Sequence, residues 1–168
     1  MSTDEALAFL KANQPLPPTS EISDVTLKRF DEVCEFFAMH PDERALPLIL
    51  NAFGEGDGHG VYDVAMDVAK AFPAEVVLPA LRAALSNPKG GVRYWAALIA
   101  GDFPDPGLVP PLGHLLQTGS VDEGIAAATT LEIIGGEEAR EILSSARRDG
   151  TAMPEVAAFI DGILSTWD

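Results

Sequence analysis

Cysteine is nearly absent. The single Cys34 cannot form an internal disulfide, so a reducing compartment, the cytoplasm, is the expected home. Basic side chains are scarce: 11 Lys and Arg stand against 26 Asp and Glu, a formal net charge of −15. That imbalance argues against a nucleic-acid partner, because phosphate attraction supplies much of such affinity and here it would be repulsion. Anionic membrane surfaces are disfavoured for the same reason, and no apolar run approaches the roughly 20 residues that span a bilayer. The opening Met1-Ser2-Thr3-Asp4-Glu5 has neither a basic region nor an apolar core, so no secretory leader is expected. No Gly-x-Ser-x-Gly elbow, phosphate-binding Gly-x-x-x-x-Gly-Lys loop or dinucleotide fingerprint occurs. Carboxylates are plentiful, but nothing marks two of them as a pair with separated pKa values, as acid–base chemistry needs. The expectation is a chain with no catalytic residue, no cofactor and no metal.

What is present is apolar and regular. Of 168 residues, 47% are apolar, too many and too evenly spaced for a disordered acidic tail. This length suits one domain that buries about 70% of the surface its unfolded chain would expose. A fixed internal period then defines the architecture. Val61, Ala65, Ala69 and Phe72-Pro73 recur 31 residues later as Val92, Ala96, Ala100 and Phe103-Pro104. A further step reaches Ala127, Leu131 and Ile134-Gly135. Leu78-Pro79, Leu81 and Leu85 likewise map forward onto Val109-Pro110, Leu112 and Leu116, and back onto Leu46-Pro47, Ile49 and Phe53. Four copies fill residues 24–149.

Each copy reads as two helices. In the first, Val61, Val64, Ala65, Val68, Ala69 and Phe72 form a stripe on one helical face, repeated by Val92, Trp95, Ala96, Ile99, Ala100 and Phe103. The second carries Val77, Leu78, Leu81 and Leu85, with Pro79 and its equivalent Pro110 expected near helix starts, where a missing N–H costs little. The links, such as Asp102-Phe103-Pro104-Asp105-Pro106-Gly107, are short and rich in turn residues. No stretch alternates with period two for long enough to make a sheet.

Val92-Arg93-Tyr94-Trp95-Ala96-Ala97, the Asp102-to-Pro106 turn and Val109-Pro110-Pro111-Leu112 together resemble HEAT-like repeats, particularly the short units of bilin-lyase-type repeat proteins. The last copy departs from the pattern, with Gly136-Glu137-Glu138 in place of the Asp-Pro turn and Arg140-Glu141 in place of Val-Pro. The resemblance implies an all-α, right-handed α-α superhelix whose second helices line a concave side. Residues 1–168 would form a single repeat domain. Residues 1–23 supply a capping helix, with Leu7, Phe9 and Leu10 docking, and a stiff Pro-rich linker. A closing helix in 150–168 docks through Ile160, Ile163 and Leu164.

Candidate functional residues are few. His40, His59 and His114 offer no pair at i, i+3 or i+4, and Glu55-x-Asp57-x-His59 reads as a glycine-rich turn before it reads as a metal site. Cys34 aligns with Met66 on the packed face and reads as core. Trp95 aligns with Val64 and Ala126 and also reads as core, whereas Tyr94 aligns with Asp63 and Ile125 on the outward face and suits an anchor for a partner. From Tyr94 to Ala139 there is no Lys or Arg, while Asp102, Asp105, Asp122, Glu123, Glu132, Glu137 and Glu138 all fall there. Helix-dipole preference explains single carboxylates at first turns, and an acidic rim that steers a basic protein explains the missing cations. On the second helices, Leu50 and Asn51, Arg82 and Ala83, Gly113 and His114, and Ser144 and Ser145 are expected to face outward into a shallow groove.

These readings make the chain a protein-binding scaffold. Its sharpest form is an acidic inhibitor, similar to small bacterial HEAT-repeat immunity proteins, that covers the active surface of a basic toxin or effector. The candidate contact residues are Asn51, Arg82, Tyr94, Asp102, Asp105, His114, Asp122 and Glu123. The repeat resemblance also implies two other roles, a tetrapyrrole (bilin) lyase or chaperone-like subunit and an assembly adaptor.

Overall fold

Serine side chains open several of the helices in the computed structural model, which describes residues 1–167. Ser2 begins α1 (Thr3–Ala12) with a reciprocal box: the Glu5 N–H donates to Ser2 Oγ at 3.2 Å, and the Ser2 N–H donates to the Glu5 carboxylate at 2.7 Å. Ser23 caps α2 (Asp24–Met39) by accepting from the Thr26 N–H. The chain continues through α3 (Ala45–Ala52), α4 (Val61–Lys70), α5 (Ala74–Leu85), α6 (Gly90–Ala100), α7 (Val109–Thr118), α8 (Val121–Ile134), α9 (Gly136–Arg148) and α10 (Pro154–Thr166). Among the described residues there is no strand. The fold is all-α: α2/α3, α4/α5, α6/α7 and α8/α9 are the four repeated pairs, flanked by α1 and α10.

Packing divides the chain into two compact units, Met1–Trp95 and a second that begins at Ala96, with the boundary inside α6. In the first unit α2 packs on α4 and α3 on α5, so like helices of successive pairs stack, as in a helical solenoid. Helix α1 covers α2 and α3 through Ala6, Leu7 and Leu10, while Phe9 is only half-buried. The Pro-rich segment behind α1 is docked along its length. Leu16 is buried, its N–H donates to the Ala52 carbonyl at 2.9 Å, and the Thr19 N–H donates to the Glu55 carbonyl at 2.8 Å.

In the second unit α7 packs on α8 and α9, and α10 closes over both α8 and α9. Close approach is set by glycines that have no room for a side chain. A Cβ on Gly124 of α8 would stand 2.7 Å from Val156 Cγ2 of α10, and one on Gly113 of α7 would stand 2.8 Å from Ile142 Cγ2 of α9. Buried Thr130 donates its hydroxyl to the Ala97 carbonyl at 2.7 Å, so its polar atom is satisfied in the core. Val156, Ile160 and Ile163 are the buried residues of α10, with Leu164 half-buried.

Two local expectations need correction. Pro79 lies in the second turn of α5, not at its start. In the aligned stretch before α7, Asp105 accepts from the Gly107 N–H at 2.8 Å and Pro106–Leu108 form a 3-10 turn. The α5 counterpart Ala74–Val77 lacks that Asp-Pro-Gly sequence and coils into α-helix a turn earlier. The buried face of α4 is also rotated. Tyr62, Ala65, Val68 and Ala69 are buried, and Val61 and Val64 are only half-buried. The cause is the bulk of Tyr62, whose ring meets Phe30 (centroids 5.9 Å), Phe53 (5.2 Å) and Trp95 (5.4 Å) edge-on, while Phe53 and Trp95 stack at 5.4 Å. Fully burying an apolar side chain contributes about 1.5–3 kcal/mol, and an aromatic ring has more area to bury than a valine.

Candidate functional site

The glycine-rich loop after α3 is held rather than loose. The Gly54 N–H donates to the Tyr62 hydroxyl at 3.0 Å, Trp95 Nε1 donates to the Gly56 carbonyl at 3.0 Å, and the Gly58 N–H donates to Thr19 Oγ1 at 2.8 Å. The Asp57 carboxylate accepts from the His59 N–H at 2.9 Å, and His59 sits at φ 51°, in the left-handed region. Glu55, Asp57 and His59 therefore serve a structured turn. Among the described residues no cluster of three His, Cys, Asp or Glu side chains is placed to hold a metal ion.

Cys34 is fully buried. Burial pushes its thiol well above the ordinary range, with the charge of Asp31 acting in the same direction, so the thiolate that a nucleophile needs is suppressed. Burial likewise raises the Tyr62 hydroxyl, partly offset by the hydrogen bond from Gly54.

The eight residues expected at a partner surface fall into distinct environments. In the first unit, Asn51 is half-buried at the end of α3, and its Oδ1 accepts from Asn87 Nδ2 at 2.9 Å. The Asn87 carbonyl in turn accepts from Arg93 at 2.9 Å, so Asn51 belongs to a polar bridge between repeats. Arg82 is exposed in the last turn of α5. Tyr94 is half-buried, its ring edge-on to Trp95 at 5.5 Å, so it is less outward than its alignment with Asp63 implies. In the second unit, Asp102, His114 and Asp122 are exposed, and Asp105 is half-buried and spends an oxygen on its turn.

Glu123 is not part of an exposed rim. It is 4% exposed, and its carboxylate accepts from the Ser120 N–H at 2.7 Å while its own N–H donates to Ser120 Oγ. This capping box at the start of α8 turns the side chain back onto the backbone. The Ser-x-x-Glu spacing Ser120 to Glu123 was the signal for it. The expected groove positions are corrected as well, since Leu50 and Gly113 are buried, Gly113 against Ile142. Sequence reasoning also passed over Tyr62, whose aromatic neighbours lie one and two helices away in the chain.

No helix among the described residues is long and apolar enough to cross a membrane. No curated protein matches the chain. Residues 78–159, from within α5 to within α10, match the family model of HEAT repeats. HEAT repeats in general mediate contacts between proteins, which makes an interaction scaffold the broad functional class. The all-helical pairs, stacked like on like, and this match over just under half of the chain support a HEAT-like repeat protein.

Proposed function

We propose that this chain is a non-enzymatic scaffold for a basic protein, and that it acts as an inhibitor, in the manner of an immunity protein covering the active surface of a basic toxin or effector. The observation that carries the reading is the charge distribution. From Tyr94 to Ala139 the chain has carboxylates and no Lys or Arg, and Asp102, Asp122, Glu137 and Glu138 are exposed. Removing Glu123 from this set weakens the field locally but leaves its sign unchanged. Net charge anywhere on the surface serves solubility, whereas one sign gathered over so long an interval also favours a partner of the other sign and speeds its encounter. Steering of this kind leaves nucleic acid and anionic membrane as unfavourable partners.

The test is isothermal titration of the chain against the basic product of the gene beside its own, at low and at raised salt. Tight binding that weakens as salt rises supports the reading. No binding, or binding indifferent to salt, removes it.

A further inference from the structure

We infer that the groove between α8 and α10 is the docking site for a cationic amphipathic helix of the partner, a surface that deepens and rests on the basic-partner reading above. The groove is lined by Glu132 from α8 and by Ala158, Phe159, Gly162 and Ile163 from α10. Phe159, a large apolar side chain of this lining at the closing end of the repeats, is 39% exposed.

Gly162 is the telling residue. Glycine weakens a helix interior, and the glycines inside α7 and α8 have packing reasons, since Gly113 admits Ile142 and Gly124 admits Val156, while Gly136 opens α9 at a positive φ of 81°. Around Gly162 a Cβ would meet nothing within 4 Å. The fold does not require the missing side chain, but a helix seated in the groove would, because the gap at Gly162 lets it approach the α10 backbone.

The walls select the sign of the occupant. Neither α8 nor α10 contains a Lys or Arg, while Glu132 lines the groove and Glu155 lies one turn before Phe159. Asp161 is engaged elsewhere, with Arg147 of α9 at 2.6 Å. An apolar floor with only carboxylates at its edge fits a helix that has an apolar stripe flanked by Lys or Arg. A second copy of this chain, with a net charge of −15, would bring acidic walls against acidic walls.

The probe is a fluorescent Leu/Lys peptide with leucines at helical spacing, read by anisotropy, with its Leu/Glu counterpart as control. The chain is compared with its Gly162→Leu, Glu132→Lys and Asp102→Lys variants, each checked for retained helicity by circular dichroism, and backbone NMR shifts locate the peptide. Gly162→Leu fills the groove from an exposed position, so the fold should survive. Expected is binding of the cationic peptide only, shifts centred on α8 and α10, and at least tenfold weaker binding for Gly162→Leu and for Glu132→Lys. Binding that Asp102→Lys weakens and Gly162→Leu does not would overturn the groove and leave the basic-partner reading intact. Equal binding of both peptides overturns the assigned sign of the occupant. Failure to bind either peptide overturns the groove, and the gene-neighbour titration then decides the broader reading separately. A chain that sediments as a dimer and becomes monomeric on Gly162→Leu would assign the groove to a second copy instead.

Discussion

The indole N–H of Trp95 reaches across to the carbonyl of Gly56 at 3.0 Å, tying the middle of α6 to the loop that follows α3. The ring is in van der Waals company with Phe53 and Tyr62, so the same side chain fills the aromatic cluster and satisfies a loop carbonyl. Trp95→Phe should keep most of the packing and lose the hydrogen bond, lowering stability by about 1–2 kcal/mol, while Trp95→Ala should cost about 3–5 kcal/mol. Urea unfolding monitored by circular dichroism separates the two.

Tyr62→Phe removes the acceptor of the Gly54 N–H and leaves that group buried, for a loss of about 1–3 kcal/mol. It also carries a pH signature. Burial raises the Tyr62 hydroxyl above its ordinary value near 10, so the unfolded chain ionises first. The stabilisation linked to Tyr62 is whole below pH about 10 and is lost as pH rises toward the folded value. Unfolding free energies measured between pH 8 and 11 should fall more steeply in the parent than in Tyr62→Phe.

Glu123 and Asp122 are adjacent but should behave oppositely. Glu123→Ala breaks the capping box of α8 and should cost about 1 kcal/mol of stability. Its effect on the rate of capturing a basic partner should be small. Asp122→Lys, at an exposed first-turn position, should change stability by less than about 1 kcal/mol through the helix dipole. Paired with Asp102→Lys it should slow association and flatten its salt dependence in stopped-flow measurements.

Cys34 should resist thiol reagents in the folded chain. It is fully buried and its thiol is raised by desolvation, so labelling by a disulfide reagent should proceed at the rate at which the core opens. Rapid stoichiometric labelling in native buffer would contradict the packing of α2.

Gly124→Ala should destabilise the second unit by about 1–3 kcal/mol, because the new methyl group meets Val156 Cγ2 at 2.7 Å. The same exchange at Gly162 meets nothing and should raise stability slightly through helix propensity. Thermal unfolding of the two variants side by side checks the contrast.

Much of the repeat was legible because its signals are local. Alternation of stripe and turn at a 31-residue step, from Val61 to Val92 and from Leu81 to Leu112, places the helix pairs, and Trp95 and Cys34 follow as core from their aligned positions. What went astray depended on neighbours distant in sequence. The inward turn of Tyr62 depends on Phe30, Phe53 and Trp95, and the burial of Gly113 depends on Ile142. Glu123 is a different case, since its Ser-x-x-Glu spacing is local, and its burial follows from the capping box that turns the carboxylate back onto Ser120.

The amino-acid order by itself determined helix pairs, their period and a one-signed charge from Tyr94 to Ala139, since periodicity, turn chemistry and charge count need no third dimension. Only the tertiary structure decided which carboxylates face solvent and which are spent on caps, and which glycines lie under a neighbouring helix and which stand open. Those outcomes depend on packing between helices, and packing is set by side chains that meet in space after being far apart in the chain.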